Sequence, residues 1–65
     1  MNSKVMVARK ERHLTQQQLA EQAGLTPHEL VLIERHGWIP PRQKRERLAE
    51  ALEQTADELF GVVQN

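Results

Sequence analysis

The chain has 65 residues, a formal net charge of zero and no cysteine. This length allows one small domain with a modest core, and the lack of cysteine excludes disulfides and thiolate metal sites. No apolar run is long enough to span a bilayer and the N-terminus lacks the apolar core of a secretory signal, so we expect a cytoplasmic protein without membrane contact.

The charged residues are segregated along the chain although their charges sum to zero. Basic side chains dominate residues 1–14 and 35–47, whereas residues 48–65 carry only acidic ones. The folded chain can therefore present one basic face, which is the electrostatic feature expected of a domain that binds nucleic acid.

Apolar residues at helical spacing predict an all-α fold of five short helices, with no strand. The first helix should cover residues 4–12. Capping-box patterns that start at Thr15, Thr26 and Thr55 mark the beginnings of the second, third and fifth helices. Pro41 is suited to the first position of the fourth helix, where its missing N–H costs nothing. None of these helices is long enough to be stable alone, so their packing must create the fold.

Residues 16–35 have the pattern of a helix-turn-helix. Two helices that cross over a very short turn need a small residue at the crossing and a residue that tolerates positive φ in the turn. Ala20 and Gly24 occupy these two positions. The apolar anchors on either side of the turn are Leu19, Ala23, Leu25, Leu30 and Ile33.

The motif belongs to a longer pattern that covers most of the chain. The pattern comprises Leu14-Thr15-Gln16, Leu19-Ala20, Ala23-Gly24-Leu25-Thr26, Leu30, Ile33-Glu34-Arg35, Pro40, Leu48-Ala49, Ala51-Leu52 and Asp57-Glu58-Leu59-Phe60-Gly61. With it, the chain resembles the Cro and lambda-repressor-like (XRE) DNA-binding domains over about residues 5–61. The resemblance implies one compact five-helix domain over residues 1–65, whose third helix, about residues 27–35, enters the major groove of duplex DNA.

The resemblance also implies roles for individual residues. Gln16, at the start of the second helix, matches a position that contacts a phosphate, and Gln17 is a second candidate for such a contact. Arg9 and Glu34 match a partly buried ion pair that joins the first helix to the end of the third. The residues that match the base-reading side of the third helix are Pro27, His28, Val31, Leu32 and Arg35.

The base-reading positions depart from the polar residues that are frequent in the family. Pro27, Val31 and Leu32 are apolar, which leaves His28 and Arg35 as polar readers. Bases are normally read by hydrogen bonds, and apolar contact is reserved for the thymine methyl group. Two interpretations stay open: a DNA site with thymines and one guanine, or a face that binds a protein partner.

Two turns depart from the family pattern as well. His13 stands where a glycine is common, and Glu53-Gln54 stands where a glycine and an apolar residue are common. His13 should end the first helix, where a basic side chain interacts favourably with the helix dipole. We therefore expect these departures to shift helix boundaries without changing the fold.

A basic segment follows the loop after the third helix. In the resembled fold this segment lies along the sugar–phosphate backbone, so Arg42 and Lys44 are predicted to contact phosphates, although they could also form a solvated helix face. Arg45 falls at an inward position of the fourth helix. Its stem is expected to pack while its charged end reaches solvent.

The C-terminal segment is predicted to form a weak homodimer. A 65-residue core can hardly bury all of its apolar side chains, and paired DNA half-sites call for two-fold symmetry. The candidate contacts are Leu59, Phe60, Val62 and Val63.

The function expected from these features is sequence-specific binding of duplex DNA by a bacterial or phage transcriptional regulator. The alternative is a protein-interaction module on the same scaffold, such as an antirepressor or regulatory adaptor. No nucleophile–base or carboxylate pair comes with a plausible pocket, and the three histidines lack the spacing of metal ligands. We therefore expect no enzymatic activity, no cofactor and no metal.

Overall fold

Five α-helices and no strand occupy residues 3–62, the part of the chain that the computed structural model describes. The predicted all-α class and the helix number are confirmed, and α2 and α3 begin at the predicted residues. None of the described helices is both long and apolar enough to cross a membrane. The helices are α1 (Ser3–Glu11), α2 (Gln16–Ala23), α3 (Pro27–His36), α4 (Arg42–Leu52) and α5 (Ala56–Phe60).

Reciprocal caps begin α2, α3 and α5. In each, a threonine hydroxyl accepts a hydrogen bond from the backbone N–H three residues later, and the side chain of that residue accepts one from the threonine N–H. The capping pairs are Thr15–Gln18, Thr26–Glu29 and Thr55–Glu58.

The start of α4 differs from its prediction. Pro41 precedes the helix as an N-cap in an extended conformation, with ψ of 155°, and the first helical residue is Arg42. Because proline has no side-chain acceptor, no side-chain cap covers this end of α4. The first backbone N–H groups of α4 are therefore left for other partners.

The turn between α2 and α3 is short because Gly24 adopts the left-handed conformation, with φ of 69°. The backbone N–H of Leu25 then donates to the carbonyl of Ala20 over 2.8 Å and closes the end of α2. Thr26 follows directly as the cap of α3. The two helices of the predicted motif are thus joined by three residues.

The core lies where α2 packs against α3 and α4, while α1 packs against α3 and α5. Trp38 is partly buried against this core, whereas its neighbour Ile39 is half exposed. The buried apolar side chains are Val5, Ala8, Leu19, Ala20, Ala23, Leu25, Leu30, Ile33, Leu48, Ala49, Leu52 and Leu59.

Candidate nucleic-acid interface

The two sides of α3 differ sharply in burial. Leu30, Ile33 and Glu34 are buried and hold the helix against the core. The residues on the opposite side lie three or four positions apart, as required for one helix face. This outer stripe consists of exposed His28 and Arg35 and of half-buried Val31 and Leu32. Pro27, the first residue of α3, is also exposed.

A buried ion pair fixes the other end of α3. Arg9 donates from Nε to Oε2 of Glu34 over 2.8 Å and from Nη2 to Oε1 over 3.1 Å. Its remaining terminal nitrogen, Nη1, donates to the carbonyl of Leu14 over 2.8 Å. A carboxylate near a helix C-terminus is disfavoured by the helix dipole, and the adjacent guanidinium offsets this effect.

Gln16 completes this network, a contact that the sequence analysis missed. Its Nε2 donates to Oε1 of Glu34 over 3.1 Å, so the first residue of α2 is tied to the last turns of α3. An amide group has two N–H donors, and Glu34 takes one of them. Gln16 can therefore belong to the fold and still donate to a ligand. Its neighbour Gln17 is exposed at the same end of α2.

Glu29, in the first turn of α3, is engaged through both carboxylate oxygens. Oε1 accepts from the backbone N–H of Thr26, and Oε2 accepts from Nζ of Lys44 on α4. The hydrogen bond from Lys44 is the main cause that lowers the pKa of Glu29, and the backbone hydrogen bond from Thr26 acts in the same direction. The sequence predicted the cap between Thr26 and Glu29, but it did not predict the ion pair between Glu29 and Lys44.

The basic residues of α4 have different environments. Arg42 is the most exposed of those in ion pairs, with 77% of its side chain accessible and Nε 3.6 Å from Glu46. Arg45 is buried and donates from Nη1 to the carbonyl of Pro40 over 2.8 Å. The prediction that the charged end of Arg45 reaches solvent is therefore wrong, because the loop before α4 offers its guanidinium a buried acceptor.

The predicted dimer contacts also need correction. Leu59 is only 2% exposed and belongs to the core, so it is not available to a partner. Phe60 is half buried against the same core, and Val62 is 80% exposed. Val63 lies outside the described residues. Leu59 was a poor candidate because its position on α5 faces α4 and α1, the elements that α5 packs against.

Comparison with known proteins agrees with this geometry. A family model described as a helix-turn-helix domain matches residues 3–64. The chain belongs to the helix-turn-helix family. This membership is consistent with the resemblance to Cro and lambda-repressor-like domains. No curated protein gives a significant match.

In this helix-turn-helix domain, α2 and α3 are the two helices of the motif. In DNA-binding members of such families the second helix lies in the major groove, with its N-terminal residues toward base edges. The second helix of the motif is α3 here, and its outer stripe is exposed at His28 and Arg35 and partly exposed at Val31 and Leu32.

Proposed function

We propose that this helix-turn-helix domain is a sequence-specific transcriptional regulator of the XRE type, from a bacterial or phage cytoplasm, that binds duplex DNA. The reading surface is the outer stripe of α3 together with Pro27. The observation that supports this proposal is that His28 and Arg35 are exposed although neighbouring polar residues, such as Glu29, are engaged within the fold.

The phosphate contacts come from the ends of helices around that surface. Gln16 and Gln17 lie at the start of α2, where backbone N–H groups and the helix dipole favour an anion. Arg42 lies at the start of α4, which has no side-chain cap, and its side chain is largely exposed. We also propose Lys44 as a phosphate contact, in competition with its ion pair to Glu29.

Salt dependence of binding tests the proposal. Fluorescence anisotropy with a random-sequence duplex should show an affinity that falls steeply between about 50 and 200 mM salt, because phosphate contacts release counterions. Arg42→Ala should lower the slope of log K against log salt by about one. Lys44→Ala should lower it by less, because Glu29 already engages that ammonium.

Arg12→Ala is the matched control for these variants. Arg12 is also an exposed arginine in a surface ion pair, but its partner Glu53 lies in the turn after α4. Its loss should leave the slope unchanged. If the wild-type domain binds no duplex at about 50 mM salt, where backbone contacts are strong, the DNA-binding proposal is rejected.

The alternative function is a protein-interaction module, as in an antirepressor or adaptor. It is favoured by the apolar centre of the outer stripe, Val31 and Leu32, and by the zero net charge. In that case Val31→Ala and Leu32→Ala would abolish binding to a protein partner, and duplex DNA would not bind.

A further inference from the structure

We infer that α3 selects DNA sites with adjacent thymines, whose 5-methyl groups pack against Val31 and Leu32. This inference rests on the proposed function and names the class of base that the centre of the outer stripe reads. It depends on the placement of these two side chains, on their partial exposure and on the contacts of their polar neighbours.

The two apolar residues lie at the centre of the outer stripe. At 3.6 residues per turn, His28, Val31, Leu32 and Arg35 fall within an arc of about 100°. From His28 to Arg35 the helix rises about 10 Å, which matches roughly three base-pair steps of 3.4 Å. Val31 and Leu32 lie midway along this rise and about 100° apart around the helix axis, so their side chains diverge toward different base pairs between the two polar residues of the stripe.

The carboxylates near this surface, which could accept a hydrogen bond from a base, are held elsewhere. Glu29 is the carboxylate next to this surface, and both of its oxygens already accept hydrogen bonds, from Thr26 and Lys44. Glu34 is buried in its ion pair with Arg9. The centre of the stripe thus lacks a free carboxylate that could accept from cytosine.

Thymine is the base whose major-groove edge carries a methyl group that an apolar side chain can cover. Every base pair presents polar groups in the major groove, but thymine adds a methyl group at C5, where cytosine has hydrogen. Removing that methyl from water against Val31 or Leu32 is favourable. The half-buried state of both side chains in the free domain leaves part of their surface for this contact.

Uracil substitution isolates the methyl group. The wild-type domain is first used to select sites from a randomised duplex library, in which adjacent thymines should be enriched. Replacing any one of those thymines by uracil should weaken binding about fourfold, because the lost contact is equivalent to one buried methylene. Uracil at thymines outside the selected site should have no effect.

Substitutions link the effect to the two side chains. The double variant Val31→Ala, Leu32→Ala should lose the difference between thymine and uracil duplexes. Val7→Ala, at an exposed valine on α1, is the matched control and should keep the full difference. Thermal unfolding shows whether each variant is folded. If the double variant is unfolded, the comparison of thymine and uracil duplexes with the wild-type domain tests the inference by itself.

The possible outcomes distinguish a failure of this inference from a failure of the proposed function. Selected sites without adjacent thymines, or equal affinity for thymine and uracil duplexes, would overturn the inference and leave DNA binding intact. Binding to duplexes without any sequence enrichment would also overturn it. Failure to bind any duplex would instead reject the proposed function.

Discussion

At the scale of single residues, Glu34 is the side chain that joins the two helices of the motif to α1. It is 1% exposed and receives three hydrogen bonds, two from Arg9 and one from Gln16. A buried carboxylate is costly unless its charge and lone pairs are matched, and here they are matched by residues from two other helices. One side chain therefore links α1, α2 and α3.

Removing Arg9 should reveal this dependence. Arg9→Ala leaves Glu34 buried without its cation, so we expect a loss of about 3–5 kcal/mol in the free energy of unfolding, measured by urea denaturation. A domain of this size has a stability of only about 3–10 kcal/mol, so the melting temperature should fall strongly.

Arg12→Ala provides the comparison for an exposed pair. Arg12 and Glu53 are 40% and 71% accessible, and solvent screening should limit the loss to about 0–1 kcal/mol. Equal small losses in the two variants would contradict the structural role assigned to Arg9.

At the scale of helices, two ends adopt a conformation that their residues disfavour. His13, just after α1, has φ of 59°, and Glu53, just after α4, has φ of 55°. These are the positions at which the sequence departs from the glycine that is common in the resembled family. Both residues nevertheless adopt the left-handed backbone that glycine accommodates without steric cost.

His13→Gly should therefore stabilise the domain. Glycine adopts positive φ without the steric cost of a Cβ, and part of this gain is offset by the greater freedom of glycine in the unfolded chain, which leaves about 0.5 kcal/mol. Thermal and urea unfolding would show it as a higher melting temperature and midpoint. A destabilised variant would mean that the imidazole makes a stabilising interaction.

Gly24→Ala is the converse change and should destabilise the domain by about 1–2 kcal/mol. Gly24 has φ of 69°, and a Cβ there would meet Nε of Arg47 at 3.3 Å. Because that atom belongs to a flexible side chain, most of the cost should come from the backbone conformation. An unchanged melting temperature would contradict this assignment.

At the scale of the whole molecule, self-association depends on the apolar surface that the fold leaves exposed. Leu59 is in the core, so the apolar surface proposed for a homodimer reduces to Phe60 and Val62 among the described residues. We expect a weak dimer that sedimentation detects at high protein concentration or on DNA with paired half-sites.

Val62→Lys should shift that equilibrium toward monomer, since it places a charge at an apolar contact. Gln22→Lys, which adds the same charge at an exposed position on α2, should not. A wild-type domain that remains monomeric at high concentration, both free and on DNA, would reject the dimer.

The sequence by itself determined the starts of α2, α3 and α5 and the helix-turn-helix motif. Each capping threonine and its partner are three residues apart, and Gly24 acts on the turn in which it lies. Such signals are local, so they can be read without knowledge of the fold. Helical periodicity also separated the core side of α3 from its outer stripe, because burial follows directly from the side of the helix.

Only the tertiary structure decided which polar groups are engaged within the domain. Glu29 meets Lys44 across 15 positions, and Gln16 meets Glu34 across 18. Periodicity tells which way a side chain points, but its partner depends on how two helices cross and on how closely they pack. For that reason the sequence identified a candidate reading helix, whereas the packed fold decided which of its neighbours remain free to contact DNA.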